Sequence, residues 1–308
     1  MTKAPVQTMH RSKKTRFLPA GILALFCFAV VLTGTAHASE KNPVFLWSVK
    51  GPKGTVHLLG SIHVLKPDAY PLDGRIERAY RQSKRVVFEA DLEEARSEQV
   101  QRQLVSQGMY PDKTTLKDHI SKNTNDLLKQ RLQEAGIPAS RFASYRPWLC
   151  AVSLSGMELK RLGYEAKWGI DAHFSARAKK DGKETIFLET ARYQIDLLSQ
   201  TLKDRQEDLL KQALKELDVI AGQSAAMMKA WEEGDAAKME SLVNISLDEY
   251  PEIKKALFTG RNTRWVSRIE ELMKKDGDSL IIVGAGHLVG NQGVTTLLQK
   301  KGYAPVQQ

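Results

Sequence analysis

The sequence predicts a mixed α/β (α+β) fold, with strands from both ends of the chain in one central sheet flanked by helices and a large helical middle segment between them. Three observations carry this reading. Short apolar, β-branched runs occur near residues 45–59, 85–90 and 278–283, and residues from Leu92 to about Arg177 have helical spacing. The spacing Gly-x-x-His occurs near each end, as Gly60-Ser61-Ile62-His63 and Gly284-Ala285-Gly286-His287, which points to two related halves.

The chain starts with a targeting signature. Lys3, Arg11, Lys13, Lys14 and Arg16 form a basic front, Phe17 to Leu32 is mainly apolar, and Ala36-His37-Ala38 has the A-x-A form of a cleavage site. Residues 1–38 therefore read as a signal peptide, and residues 39–308 as a single domain in the periplasm or outside the cell. Pro19 and small polar residues interrupt the apolar run, so it falls short of the roughly 20 apolar residues of a comfortable membrane span. No stable span is expected after cleavage, retention as an anchor being the alternative. Cys27 lies within the signal without a lipobox before it, which leaves Cys150 as the one mature cysteine and no internal disulfide.

At 308 residues, 42% apolar and 27% charged, the composition is that of a globular protein and excludes disordered, collagenous and disulfide-scaffold classes. The whole chain has 46 basic and 36 acidic residues; the signal removes five basic and no acidic ones, leaving the mature chain at +5. Nucleic acid is thus not an expected partner.

Each element then follows in order. Phe45–Val49 and Thr55–Leu59, separated by Gly51-Pro52-Lys53-Gly54, read as a hairpin. Asp73 to Ser83 is helix-like, with Ile76, Ala79 and Tyr80 on one face, and Arg85 to Ala90 is a strand. Tyr110-Pro111-Asp112, Gly136-Ile137-Pro138 and Arg146-Pro147 punctuate the helical middle. A short strand is expected at Thr185–Leu188, then helices whose stripe of Leu202, Leu209, Leu210, Ala213, Leu214, Leu217 and Ile220 reads as core. Asp278 to Val283 is the last strong strand, followed by a helix over Gly293–Lys301 and an extended piece at Tyr303–Val306.

Four strand exits end in a potential metal ligand or acid: His63, Glu89, Glu189 and His287. Sites in open sheets collect at the carboxyl ends of strands, and two imidazoles with two carboxylates converging there would suit a divalent metal. Taken singly, each exit reads as a hydrogen-bonded histidine or a solvated glutamate; the paired spacing favours the site. His57 reads as structural, Asp171 as the cap of a helix over Ala172–Lys180, Trp148 and Trp231 as core anchors, and His119 has no supporting neighbours. Cys150 lies in the apolar run Trp148-Leu149-Cys150-Ala151-Val152 and reads as a buried residue rather than a nucleophile. Gly284 to Gly290 has Gly-x-Gly-x-x-x-Gly spacing with 18 residues left after it, too few for a dinucleotide fold.

These words, in this order, resemble the TraB/GumN family, which includes the animal Tiki proteins. The likeness is carried by Leu58-Leu59-Gly60-Ser61-Ile62-His63, Tyr70-Pro71-Leu72, Val87-Phe88-Glu89-Ala90-Asp91, Arg146-Pro147-Trp148, Gly169-Ile170-Asp171, Leu188-Glu189-Thr190, Trp231-Glu232-Glu233-Gly234-Asp235, Arg261-Asn262 and Val283-Gly284-Ala285-Gly286-His287, over roughly residues 44–306. The departures are Ser61 where Thr is common, Gly260 where an acid is usual, and Trp265 where a smaller apolar residue is common. The resemblance implies two β/α repeats around a shared site, as in the erythromycin-esterase and ChaN-like group, and a metal-dependent hydrolase. Tiki members are membrane-tethered metalloproteases, so a peptide or protein substrate is implied.

On that reading His63, Glu89 and His287 are metal ligands, and Glu189 is a fourth ligand or the general base. Arg261 binds a substrate carboxylate or the oxyanion, or makes a structural salt bridge. Manganese or cobalt is favoured by the resemblance, with zinc and iron compatible with the ligand types. Two competing expectations are a noncatalytic envelope protein that binds peptide or glycan in the same cleft, and an esterase acting on small molecules.

Overall fold

The computed structural model describes residues 42–308; the expected signal segment lies outside them. Its framework is one six-stranded sheet. The strands are β1 (Leu46–Lys50), β2 (Thr55–Ser61), β3 (Arg85–Phe88), β4 (Glu184–Phe187), β5 (Ser279–Gly284) and β6 (Val306–Gln307), in the order β4-β3-β5-β2-β1-β6. The mixed α/β expectation holds, including the pairing of chain ends. β5 lies parallel between β2, with Val56 opposite Ser279, and β3, with Phe88 opposite Ile282.

The physical reasons are local. β1 and β2 form the expected antiparallel hairpin, closed by the Gly51 N–H donating to the Gly54 carbonyl at 2.9 Å. β5 is buried along its whole length, as a central parallel strand covered on both faces requires. Edge strand β4 is only partly covered and β6 is two residues long, so neither edge offers a long template for further pairing. β3 stops at Phe88, before the expected Ala90, and the last strand is Val306–Gln307 rather than Tyr303–Val306.

Helices α1 (Gly74–Gln82), α2 (Glu98–Gly108), α3 (Lys122–Glu134), α4 (Pro147–Arg161) and α5 (Ile170–Lys180) precede β4. After it come α6 (Ala191–Asp196), α7 (Gln206–Glu216), α8 (Ile220–Glu232), α9 (Ala236–Leu247), α10 (Pro251–Lys254), α11 (Gly260–Met273) and, following β5, α12 (Val294–Lys300). Ser, Thr and Asp cap several of them, for example Asp73 on Arg75 N and Thr190 on Tyr193 N. The main core joins the sheet to α1, α5, α8, α9, α11 and α12, including Tyr80 packed on Phe174. A second cluster joins α3, α4 and α7 through Leu128, Leu132, Leu154, Leu210 and Leu214; Leu210, Ala213 and Leu214 of the expected stripe lie in this core, with Leu217 packed against it, while Leu209 and Ile220 are half-buried. Among the described residues, no helix is long and apolar enough to cross a membrane.

Candidate functional site

Three parallel strands end side by side, and their exits build the site. Ser61 pairs with Gly284 at the ends of β2 and β5, so His63 and His287 leave the same sheet edge, and Glu89 follows β3 next to β5. The Trp231 indole N–H donates to the Gly60 carbonyl at 2.7 Å and fixes the first exit from below. Gly169 fixes it from the side: the Ile170 N–H donates to the Ile62 carbonyl, and a Cβ at Gly169 would lie 2.2 Å from the His63 carbonyl oxygen. Only glycine permits that approach.

Close contact between α5 and the exit brings Asp171 to His63. His63 Nδ1 is 2.9 Å from Asp171 Oδ1, which also accepts from the Ser61 hydroxyl. Asp171 lies inside the first turn of α5 and makes no cap, Gly169 being the N-cap residue, so the expected capping role is corrected to a histidine partner. His287 is anchored in the same way. Its Nδ1 is 2.6 Å from Asn262 Oδ1, while Asn262 Nδ2 donates to the Gln292 carbonyl, and its ring is held between Phe258 and Trp265 at centroid distances of 4.7 and 4.5 Å.

With both Nδ1 atoms engaged, both Nε2 atoms face one carboxylate oxygen. Glu89 Oε1 is 4.0 Å from His63 Nε2 and 3.9 Å from His287 Nε2, and it accepts from the Gly284 N–H at 2.7 Å. The two halves are not equivalent: the His63 side chain is 58% exposed, whereas that of His287 is 6% exposed. His63 is therefore the open ring.

Arg261, in the first turn of α11, ties the carboxylates together. It donates to Glu89 Oε2 at 2.6 Å, to both Glu189 oxygens at 2.8–3.1 Å, to the Leu257 carbonyl, and from Nη1 to His287 Nε2 at 3.1 Å. The last bond makes His287 Nε2 an acceptor, so Nδ1 carries the proton and donates to Asn262. Glu189, at 4% side-chain exposure, is held by Arg261 and lies 3.5 Å from Arg264. It does not join the His63, Glu89, His287 group.

Burial pushes Glu89 upward, but the flanking imidazoles, the guanidinium and the Gly284 N–H outweigh it and hold the carboxyl at about 2. Burial lowers His287 to about 3, with Arg261 adding to the effect against the pull of Glu89, so the ring is neutral. Crowding lowers His63 as well, yet the charge and hydrogen bond of Asp171 reverse this and raise it to about 9. Asp171 in turn is held below its ordinary range, its own burial being outweighed by His63 and Ser61.

Among the described residues no three His, Cys, Asp or Glu side chains stand close enough to enclose an ion as they are. The donor types and the space between them suit one. A Cβ at Gly284 would stand 3.2 Å from His63 Nε2, 3.3 Å from Glu89 Oε1 and 3.5 Å from His287 Cδ2, so glycine leaves a cradle bordered by all three candidate ligands. Metal bonds of about 2.1 Å in tetrahedral arrangement require donors about 3.4 Å apart, so each imidazole would have to close on Glu89 Oε1 by about half an ångström. Arg261 would also have to release His287 Nε2.

Other expectations settle simply. Cys150 is buried, and burial pushes its thiol up to about 12. The Ser48 hydroxyl is hydrogen-bonded to His57 within the hairpin, and the Trp148 N–H donates to the Gln107 carbonyl. His119 does have neighbours: it stacks on Tyr110 at 4.0 Å and pairs with Thr114 Oγ1. Asp171 and Asn262 were missed as histidine partners, although the words Gly169-Ile170-Asp171 and Arg261-Asn262 mark both.

Comparison with known proteins finds uncharacterized relatives and one family. The chain is 27% identical over 243 residues to the uncharacterized protein YbaP of Escherichia coli (strain K12), covering 79% of this chain and 87% of that protein. It is 21% identical over 280 residues to an uncharacterized protein of Treponema pallidum (strain Nichols), covering 85% and 82%. No solved structure matches. The model of the TraB/PrgY/gumN family matches residues 45–307, a span that contains every strand exit described above, and the chain belongs to that family.

Proposed function

We propose that this chain is a periplasmic or secreted metal-dependent hydrolase, a peptidase that uses activated water. The observation that carries the reading is the double anchoring of the imidazoles: Asp171 and Asn262 hold the two Nδ1 atoms and leave both Nε2 atoms aimed at Glu89 Oε1. Ligand histidines are oriented in this way by outer carboxylate or carbonyl partners. A divalent ion on His63, His287 and Glu89, manganese or cobalt by family resemblance and zinc or iron by ligand type, would lower the pKa of water toward neutrality and polarise a carbonyl.

The chain's own residues supply the rest. Arg261 keeps Glu89 ionised and places a permanent positive charge beside the site, where negative charge on an attacked carbonyl would be stabilised. Glu189 clamps the other edge of that guanidinium and so acts as its positioning residue. Asp171 sets the orientation of His63, the ring open to substrate.

A noncatalytic peptide- or glycan-binding role is the second reading, and one observation favours it: Arg261 already occupies the single lone pair of His287 Nε2. Elemental analysis of residues 39–308, prepared without chelators and beside a His63→Ala variant, separates the two. Near-stoichiometric metal that is lost from the folded variant, together with cleavage of a peptide library by the wild type alone, supports the hydrolase. Absence of metal after incubation with manganese, cobalt, iron and zinc, with saturable peptide binding and no product, establishes the binding protein.

A further inference from the structure

A groove of about 740 Å³ is lined by Arg264, which stands 3.5 Å from Glu189 Oε1. Its walls include Tyr193, Leu197, Leu202 and Ala256, and it is bounded by two π-helical turns, Leu197–Thr201 and Lys255–Thr259. Isolated π turns are uncommon and gather at functional sites. The groove is connected to the site by one short helix: on α6, Gln194 reaches Glu89 Oε2 at 3.5 Å while Tyr193 lines the groove.

Arg264 stands where the groove meets the site. Its guanidinium lies 5.0 Å over the Tyr193 ring, donates to the Tyr193 hydroxyl and is 3.5 Å from Glu189 Oε1, yet its side chain remains 54% exposed. Stacking restrains the plane of the fork and leaves edge donors open. Of the other charged groups in the lining, Arg205 is paired with Glu252 at 2.6 Å, and Lys255 and Asp204 offset one another in sign. At Gly260 an added Cβ would make only ordinary contacts, with the Lys255 carbonyl at 3.5 Å and Arg264 Nη1 at 3.8 Å, so a side chain introduced there would stand beside Arg264.

A mainly apolar groove that ends in a restrained, permanently charged fork fits an apolar group bearing a carboxylate. We propose that this groove is the substrate subsite for an apolar residue with a free carboxylate, and that Arg264 binds that carboxylate. Substrates are then peptides with an apolar C-terminal residue, an assignment that rests on the hydrolase reading above.

Fluorescence anisotropy with dye-labelled Ala-Ala-Leu-Phe, as the free acid and as the C-terminal amide, tests this on the His63→Ala chain, where turnover does not interfere. The acid form is expected to bind at least tenfold more tightly than the amide, and Phe→Ser in the peptide to weaken it. Arg264→Met and Gly260→Glu, the latter placing an acid beside Arg264 at an ordinary helical position, should each bring acid and amide within twofold. Equal binding of both forms by the parent chain, or no binding of either, overturns the subsite. Carboxylate-selective binding without cleavage by the metal-loaded wild type overturns only the hydrolase reading, and cleavage without carboxylate selectivity overturns only the subsite.

Discussion

Arg261 donates to His287 Nε2 at 3.1 Å, so one guanidinium governs the availability of a candidate ligand and is also the ion-pair partner of two buried glutamates. Removing one partner of a buried ion pair leaves the other uncompensated, at a cost of about 3–5 kcal/mol. Arg261→Met is expected to lose stability of that order at pH 7.5 in urea denaturation, with less loss at pH 5, where Glu89, no longer held ionised by the guanidinium, takes up a proton more readily. Because the change frees His287 Nε2 and both carboxylates, manganese should raise the melting temperature of the variant more than that of the wild type. A variant as stable as the wild type would show that the two carboxylates do not depend on this residue.

Asp171 and His63 set a pH dependence on the alkaline side. The folded-state value for His63 is about 9 against an ordinary 6.5, so the folded chain holds this proton more tightly than the unfolded one. That stabilisation is complete below pH 6.5 and is lost as pH rises toward 9. His287, lowered to about 3, acts in the opposite direction in a separate window, its contribution being lost as pH falls from 6.5 toward 3. In metal-free protein, Asp171→Asn should flatten the decline between pH 6.5 and 9 and leave the acid limb in place above about pH 4, below which the depressed Asp171 carboxyl contributes in the wild type alone. Metal on His63 requires the neutral ring, so manganese uptake at pH 7 should release a proton, measurable by calorimetry in buffers of different ionisation enthalpy.

The legibility of this site follows the range of the interactions that make it. His63, Glu89 and His287 announce themselves because each ends a strand, and strand exits can be read from a few neighbouring residues. The role of Asp171 depends on a partner 108 positions away and on Gly169 allowing α5 to touch the exit of β2. Helical periodicity shows which face of α5 is apolar, but not which strand end it meets. Glu189 has the same strand-exit signature as Glu89, yet it sits one residue further beyond its paired strand, Phe88 being opposite Phe187, and it turns to Arg261 instead of the imidazoles. The sheet was legible because its inner strands carry apolar runs such as Val86-Val87-Phe88 and Leu280-Ile281-Ile282-Val283; the π turns at Leu197–Thr201 and Lys255–Thr259 had no local signal.

Cys150 offers a test of the second cluster. It is fully covered between α4 and its neighbours, and burial alone pushes its thiol up to about 12. A thiol so placed is inert because the reactive form is the thiolate. A chain of residues 39–308, which holds Cys150 but not Cys27, should leave a disulfide reagent such as dithiobisnitrobenzoate unreacted over an hour at pH 8, with one equivalent reacting in urea. Rapid labelling of the native chain would mean that α4 opens away from α7.

The two glycine exits separate folding from function. At Gly60 an added methyl would lie 2.4 Å from Cδ1 of the fully buried Phe45 and 3.1 Å from the Ala285 backbone, neither of which can move aside. Gly60→Ala is expected to cost about 1–3 kcal/mol by overpacking. At Gly284 the backbone is ordinary for any residue, with φ −49°, and the nearest atoms are side-chain ends: His63 Nε2 at 3.2 Å and Glu89 Oε1 at 3.3 Å. The open His63 ring can swing outward to admit the methyl, so Gly284→Ala should stay within about 1 kcal/mol of wild type. The methyl fills the cradle between the candidate ligands, so metal content by elemental analysis should fall at least tenfold. A Gly284→Ala chain that retains full metal would place the ion elsewhere and return His63, Glu89 and His287 to structural roles.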